Sequence, residues 1–220
     1  MARIIALIPA FNEAEHIGDV VARTQPHVEQ VVVVDDGSLD ATAERAEAAG
    51  ATVLIHEQNR GKGFAILTAL EFFGRSAARF GVLLDADGQH DPAEIPRLAE
   101  AAQRTGAGIV VGTRMGDTRT MPRLRRWTNR LTSWLTSRMA RQSIPDSQCG
   151  FRLLRREVLA DLKLESGHFE TETEMLIQAG RAGHLIANVP VRTIYDGQNS
   201  RIRPWQDTVR FFKLLRKYWR

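Results

Sequence analysis

Short apolar runs alternate with longer stretches of helical periodicity along this chain. Ile4 to Ile8, Val31 to Val34, Val82 to Leu84 and Ile109 to Val111 are runs of three to five apolar residues bounded by polar or turn-forming positions. Such runs read as buried strands, too short for helices. They predict strands over 3–8, 30–34, 52–55, 82–84 and 109–111, with further strands over 150–154 and within 184–194. The four consecutive valines suit a strand buried on both faces of a parallel sheet. Between the runs, helical spacing predicts helices from Asn12 or Glu13 to about Thr24, from the Ser38 and Asp40 cap residues to Gly50, from the Asn59–Gly63 turn to about Ala78, from Asp91-Pro92 onward, and from about Phe169 to Gly183. Strand and helix in alternation imply right-handed crossovers and an α/β fold with a mainly parallel, Rossmann-like sheet.

Two later segments are patterned differently. Leu124, Trp127, Leu131, Trp134, Leu135 and Met139 recur at helical spacing, with Arg125, Arg126, Arg130, Arg138 and Arg141 largely between them. Trp205, Val209, Phe212, Leu215 and Trp219 repeat the theme among Arg210, Lys213, Arg216, Lys217 and Arg220. Both read as basic amphipathic helices, whose apolar stripe faces either the core or a membrane interface.

Charge sharpens this picture. The net charge is +4, but residues 114–141 and 201–220 hold half of the 30 Lys and Arg, and the rest of the chain carries 15 bases against 24 acids, a net of −9. An acidic body with two basic segments implies an anionic partner for those segments. The single cysteine, Cys149, excludes an internal disulfide and suits a small buried group in a reducing compartment. The five apolar residues before Pro9 are too few for a signal-peptide core, and no stretch approaches the ~20 apolar residues of a membrane-spanning helix. The expected location is cytoplasmic, peripheral on the inner face of a membrane.

Chemistry-bearing residues gather where the strands end. Val82 to Leu84 stop abruptly at Asp85-Ala86-Asp87-Gly88-Gln89-His90. In an open α/β sheet ligands bind beyond the carboxyl ends of the strands. Where strand geometry persists past Leu84, Asp85 and Asp87, two apart, project from one face with Cα atoms about 7 Å apart. With the Gln89 amide they offer hard oxygen donors suited to Mg²⁺ or Mn²⁺. The first strand ends in Pro9-Ala10-Phe11-Asn12-Glu13 and the second in Asp35-Asp36-Gly37-Ser38. Asn59-Arg60-Gly61-Lys62-Gly63 lacks the Walker spacing, so ATP hydrolysis is not expected of it, and Lys62 can cap the following helix. His90, beside the acidic pair, reads as a supporting residue rather than a ligand or base, and Glu170, Glu172 and Glu174 read either as a solvated acidic helix start or as a start with one acid turned to the site.

In order and spacing these strand-end clusters resemble the family 2 glycosyltransferases with the A-type nucleotide-sugar fold. Asp146-Ser147-Gln148-Cys149-Gly150-Phe151-Arg152 and Tyr195-Asp196-Gly197-Gln198-Asn199-Ser200-Arg201 resemble the branch that includes dolichyl-phosphate and polyprenyl-phosphate sugar synthases. The resemblance covers nearly the whole chain. It implies a single domain over 1–220, with a nucleotide-sugar half at 1–115, an acceptor half at 116–200 and a basic amphipathic helix at 201–220. It further implies transfer from a nucleotide-diphosphate sugar, of GDP-mannose or UDP-glucose type, with inversion and with a metal on Asp85, Asp87 and Gln89. Donor contacts would fall to Pro9, Phe11, Glu13, Val34, Asp36, Lys62, Asp85, Ala86, Asp87 and Arg114, and phosphate contacts to Arg201 and Arg203, with Arg192 and Arg152 as further candidates. Phe11 stands where the family often has tyrosine, so any contact through a hydroxyl is lost.

The acceptor decides the role of Asp146. A sugar hydroxyl needs a carboxylate base, whereas a lipid phosphate is largely ionised at neutral pH and needs only orientation. The expected catalytic residues are therefore Asp87, Asp146, Arg114 and Arg201. The expected partners are the donor, a polyprenyl phosphate and an anionic membrane surface contacted through 123–141 and 204–220, with room for a membrane-protein partner and no nucleic acid. The alternatives are a saccharide or other soluble hydroxyl acceptor, and a non-enzymatic binder of anions or nucleic acid through the two arginine-rich helices.

Overall fold

The computed structural model describes residues 3–113, 123–165, 167, 170–192 and 204–218. Seven strands form one sheet: β1 (Ile4–Ala10), β2 (Gln30–Asp35), β3 (Thr52–Ile55), β4 (Phe80–Leu83), β5 (Ile109–Thr113), β6 (Arg152–Arg155) and β7 (Ile186–Pro190). Their order is β3-β2-β1-β4-β6-β5-β7. Every pairing is parallel except those of β6, which runs antiparallel to β4 and β5. The mainly parallel α/β sheet is as expected. Val31 to Val34 are at most 2% exposed, and because successive side chains alternate in direction, both faces of the sheet must be covered.

The chain moves outward from β1 to β2 and β3, then returns to place β4 on the other side of β1. That reversal opens a crevice at the carboxyl ends of β1 and β4, where doubly wound sheets bind ligands. The antiparallel β6 adds a second consequence: Leu83 pairs with Arg152, so the segment entering β6 lies beside the end of β4.

The helices are α1 (Ile17–Thr24), α2 (Thr42–Ala48), α3 (Lys62–Arg75), α4 (Ile95–Thr105), α5 (Arg123–Ala140), α6 (Glu170–Arg181) and α7 (Pro204–Tyr218). α3 packs across β1 and β2, and α4 across β5 to β7. Two expected starts move. α1 begins at Ile17 rather than at Asn12 or Glu13, because Asn12 holds a left-handed φ of 51° and its neighbours bond to the second strand's loop instead. Ser38 and Asp40 do not cap α2 directly: Ala41 occupies its N-cap, Ser38 Oγ accepts from Asn12 N–H, and Asp40 accepts from Thr42 and Ala14. Asp91 does cap its helical turn, accepting from Ala93 N–H at 3.2 Å.

α5, α6 and α7 form a second, smaller core around Leu135, Ile177, Phe211 and Leu215, with Leu131, Met139 and Tyr218 against it. The apolar stripe of α5 is therefore divided. Leu131, Leu135 and Met139, spaced by four, face this core, while Trp127 and Trp134, spaced by seven, remain 64% and 60% exposed. Among the described residues no helix is long and apolar enough to cross a membrane.

Candidate active site

β4 ends in apolar residues that anchor the acidic turn. Leu84 is buried, and its N–H reaches Leu7 O of β1, so the turn starts from a fixed position. The N–H of Asp85 donates to His90 Nδ1 at 3.1 Å, closing the loop across Gly88, whose φ is 73°. Accepting at Nδ1 leaves His90 Nε2 to carry the proton of the neutral ring. That nitrogen lies 3.9 Å from Asp85 Oδ2, and the ring is stacked on Phe151 at 5.2 Å. His90 is thus a support for Asp85, as expected. Asp87 accepts from Gln89 N–H through Oδ1 at 3.0 Å.

Lys62, the first residue of α3, reaches into this turn. Its Nζ is 2.6 Å from Asp85 Oδ1 and 3.3 Å from Glu172 Oε2 on α6. Burial alone would lower its pKa, but the adjacent Asp85 and Glu172 carboxylates outweigh burial and raise it above the ordinary lysine value. Lys62 therefore stays charged, and its ammonium joins the turn after β4 to an acid of α6. Glu172 is the member of the acidic trio that faces the site. Glu174 is fully buried and turns to Lys217 and Tyr218 of α7, at 3.0 and 2.9 Å.

Gly150 explains how Asp85 is packed from its other side. A Cβ at this position would lie 2.8 Å from Asp85 Oδ2 and 3.0 Å from Oδ1, so the carboxylate would have to shift to admit it. The register of β6 against β4 brings this glycine to the carboxylate.

Asp36 sits at the tip of β2 and is 2% exposed. Its Oδ1 faces His56 Nδ1 at 2.7 Å and accepts from Arg60 N–H at 3.0 Å, while Oδ2 accepts from Gly61 N–H at 2.7 Å. The carboxylate thereby holds the turn that launches Lys62. His56 was not singled out by the sequence, although it stands directly after β3, where the same strand-end rule would have found it. Its Nε2 is tied to Thr68 Oγ1 at 2.9 Å. Gly37, with φ of 71°, permits the second loop to pack here: a Cβ would meet Gln58 backbone at 2.5 Å. Pro9, Val34 and Ala86 are buried at the floor of the crevice, and Phe11 and Glu13 are part-exposed beyond β1.

Around the start of β6 one expectation is corrected. Arg152 is fully buried and donates to three carbonyls, Cys149 O at 2.9 Å, Ser147 O at 2.8 Å and Glu172 O. It is a strut between the β6 entry and α6, with no side-chain surface left to gather phosphates. Asp146 is also fully buried, and Cys149 is buried as expected. Arg192 is exposed just after β7. Arg114, Arg201, Arg203 and the Tyr195–Ser200 cluster lie outside the described residues.

The residues suit a divalent cation of the magnesium type. Asp85 and Asp87 supply two hard oxygen donors, and no group of three or more His, Cys, Asp or Glu among the described residues makes a self-sufficient metal cage. Mg²⁺ is commonly held in this way, by one or two carboxylates with substrate phosphates and water completing the octahedron.

A model of Glycosyl transferase family 2 matches residues 5–163. The UDP-N-acetylglucosamine–dolichyl-phosphate N-acetylglucosaminyltransferase of Methanococcus voltae is 32% identical, over 87% of this chain and 86% of its own length. The polyprenol monophosphomannose synthase of Mycolicibacterium smegmatis is 30% identical, over 86% of this chain and 76% of its own. In three dimensions, glucosyl-3-phosphoglycerate synthase from Mycobacterium tuberculosis, in complex with Mn²⁺, UDP-glucose and phosphoglyceric acid, superposes with a TM-score of 0.74 at 23% identity, covering 99% of this chain and 79% of that one. This agreement is one of fold, that of the A-type glycosyltransferases.

Proposed function

This chain belongs to glycosyltransferase family 2, is a glycosyltransferase with relatives that act on polyprenyl phosphates, and on that premise we propose that it transfers a sugar from a nucleotide diphosphate to a polyprenyl phosphate at an anionic membrane surface. The donor would lie in the crevice between β1 and β4, over Ala86, with its base toward Phe11, Glu13 and the loop held by Asp36. Asp36 is 2% exposed and engaged by His56, Arg60 N–H and Gly61 N–H, so its part would be to hold the loop that the nucleoside meets. Asp85, Asp87 and Gln89 would hold the cation, which when bound supplies Lewis-acid neutralisation of the departing diphosphate. Lys62 adds positive charge at the same place, and Arg114, Arg201 and Arg203 are proposed to complete it from the segments that follow.

The observation that carries the lipid acceptor is the outer face of α5. Trp127 and Trp134 stand exposed beside exposed Arg130 and Arg138, while Leu131, Leu135 and Met139, about a quarter-turn round the helix, pack with α6 and α7. Tryptophan and arginine together suit the headgroup layer, where each basic residue adds roughly 1 kcal/mol. On α7, Lys213 and Arg216 are exposed, whereas Lys217 is engaged by Glu165 and Glu174 and so serves the protein first.

Burial of Asp146 supports the same acceptor. A carboxylate with no exposed surface is poorly placed to take a proton from an incoming hydroxyl, whereas a phosphate monoester, with its second pKa near 6, arrives largely ionised and needs no base. Asp146 would then hold the loop that carries Gly150. The test is transfer of labelled sugar from GDP-mannose, UDP-glucose and UDP-N-acetylglucosamine with polyprenyl phosphate present. Label moving into the organic phase is expected, and label confined to a water-soluble glycoside would instead indicate a hydroxyl acceptor.

A further inference from the structure

Asp85 is the residue of the acidic pair nearest the junction of β4, β6 and α6, and in this structure it faces a cation supplied by the protein itself. Lys62 Nζ lies 2.6 Å from Asp85 Oδ1, within the distance of a strong charge-assisted hydrogen bond. Two further features fix the arrangement. Glu172 holds the same ammonium from α6 at 3.3 Å, and Gly61, with φ of 102°, starts α3 so that its first side chain points across the crevice. Gly150 lies against the same carboxylate, where an added Cβ would come within 2.8 Å of Oδ2, so the glycine leaves room for Asp85 at this place.

We propose that Lys62 is a built-in counter-cation that occupies the Asp85 carboxylate while the site lacks donor, so that a divalent metal binds productively only together with a nucleoside diphosphate. This inference rests on the metal-dependent reading above and adds an order of events to it. A metal approaching alone must displace an ammonium that two acids hold. A diphosphate arriving with the metal offers Lys62 a replacement anion, while Glu172 keeps the side chain within reach. The exchange is then charge for charge: Asp85 passes from the ammonium to the metal, and Lys62 passes from Asp85 to phosphate. The consequence is a site that does not fill with metal in the absence of donor.

Calorimetric or electron-paramagnetic-resonance titration with MnCl2 tests this without any turnover. Wild-type protein is expected to bind Mn²⁺ weakly alone and at least about tenfold more tightly with UDP or GDP present, a ratio that corresponds to about 1.4 kcal/mol. Lys62→Met should bind Mn²⁺ alone about tenfold more tightly than wild type and lose most of the nucleotide-dependent gain, whereas Lys62→Arg, which keeps the charge, should bind Mn²⁺ alone more weakly than Lys62→Met. Circular dichroism and melting temperature establish that each variant is folded, and the wild-type comparison stands even if Lys62→Met is not. Equal Mn²⁺ affinity with and without nucleotide in the wild type, or no gain in folded Lys62→Met, overturns the proposal while leaving metal-dependent transfer intact. Absence of Mn²⁺ binding in every protein, with either nucleotide, overturns both.

Discussion

At the scale of single residues, the site is organised by groups that hold the acids as much as by the acids themselves. Gly150 is the sharpest case, because a side chain here would displace the Asp85 carboxylate from its present position. Gly150→Ala is expected to lower sugar transfer by at least about tenfold, equivalent to about 1.4 kcal/mol of transition-state stabilisation, with a smaller change in melting temperature. Parallel turnover and thermal-melt measurements check this, and unchanged turnover would show that Asp85 relocates freely. Lys62 gives the pH dependence its sign. Its pKa is raised in the folded state, so its pair with Asp85 and Glu172 contributes fully below the unfolded lysine value of about 10.4 and is lost only in stronger alkali. Stability and nucleotide affinity should therefore show no lysine-dependent step between about pH 6 and 9 in thermal melts and nucleotide titrations.

At the scale of elements, α5 shows how one amphipathic pattern serves two purposes. Leu135 lies in the small core with Ile177, Phe211 and Leu215. Leu135→Ala is expected to destabilise the protein by about 2–4 kcal/mol through loss of that packing, measured by denaturant unfolding. Trp127→Ser with Trp134→Ser removes surface that touches no core, so the melting temperature should hold within a few degrees while sedimentation with anionic vesicles falls several-fold. A parallel loss of fold in the double variant would place those tryptophans in the core instead. α7 is joined to the same unit through Glu174, which binds both Lys217 and Tyr218. Burial raises the Tyr218 pKa, and the Glu174 carboxylate adds to the rise. Because Glu172 and Glu174 are neighbours on α6, the helix that carries the site's acid also carries the anchor of the final helix.

At the scale of the whole molecule, the reversal of strand order at β1 and β4 turns separate strand ends into one crevice. Removing divalent cations with a chelator should abolish transfer, and excess Mn²⁺ or Mg²⁺ should restore it, as followed by release of nucleoside diphosphate. Persistent turnover in chelator would leave Lys62 and the arginines as the only charge on the leaving group.

Much of this was legible in the chain before any coordinates. The alternation of apolar runs with helical stretches announced a mainly parallel sheet, and the abrupt carboxylates after Leu84 announced where its ligand edge would be, because both signals are local: a strand buries its run and must end in groups that water or a ligand can satisfy. Which side chains meet across that edge was decided only by the tertiary structure. Arg152 reads in sequence like a phosphate ligand, but the register of β6 buries it among carbonyls. Asp36 finds His56, Lys62 finds Glu172, and the tryptophans of α5 part from its leucines, because those pairings depend on crossovers and helix packing that join residues far apart in the chain.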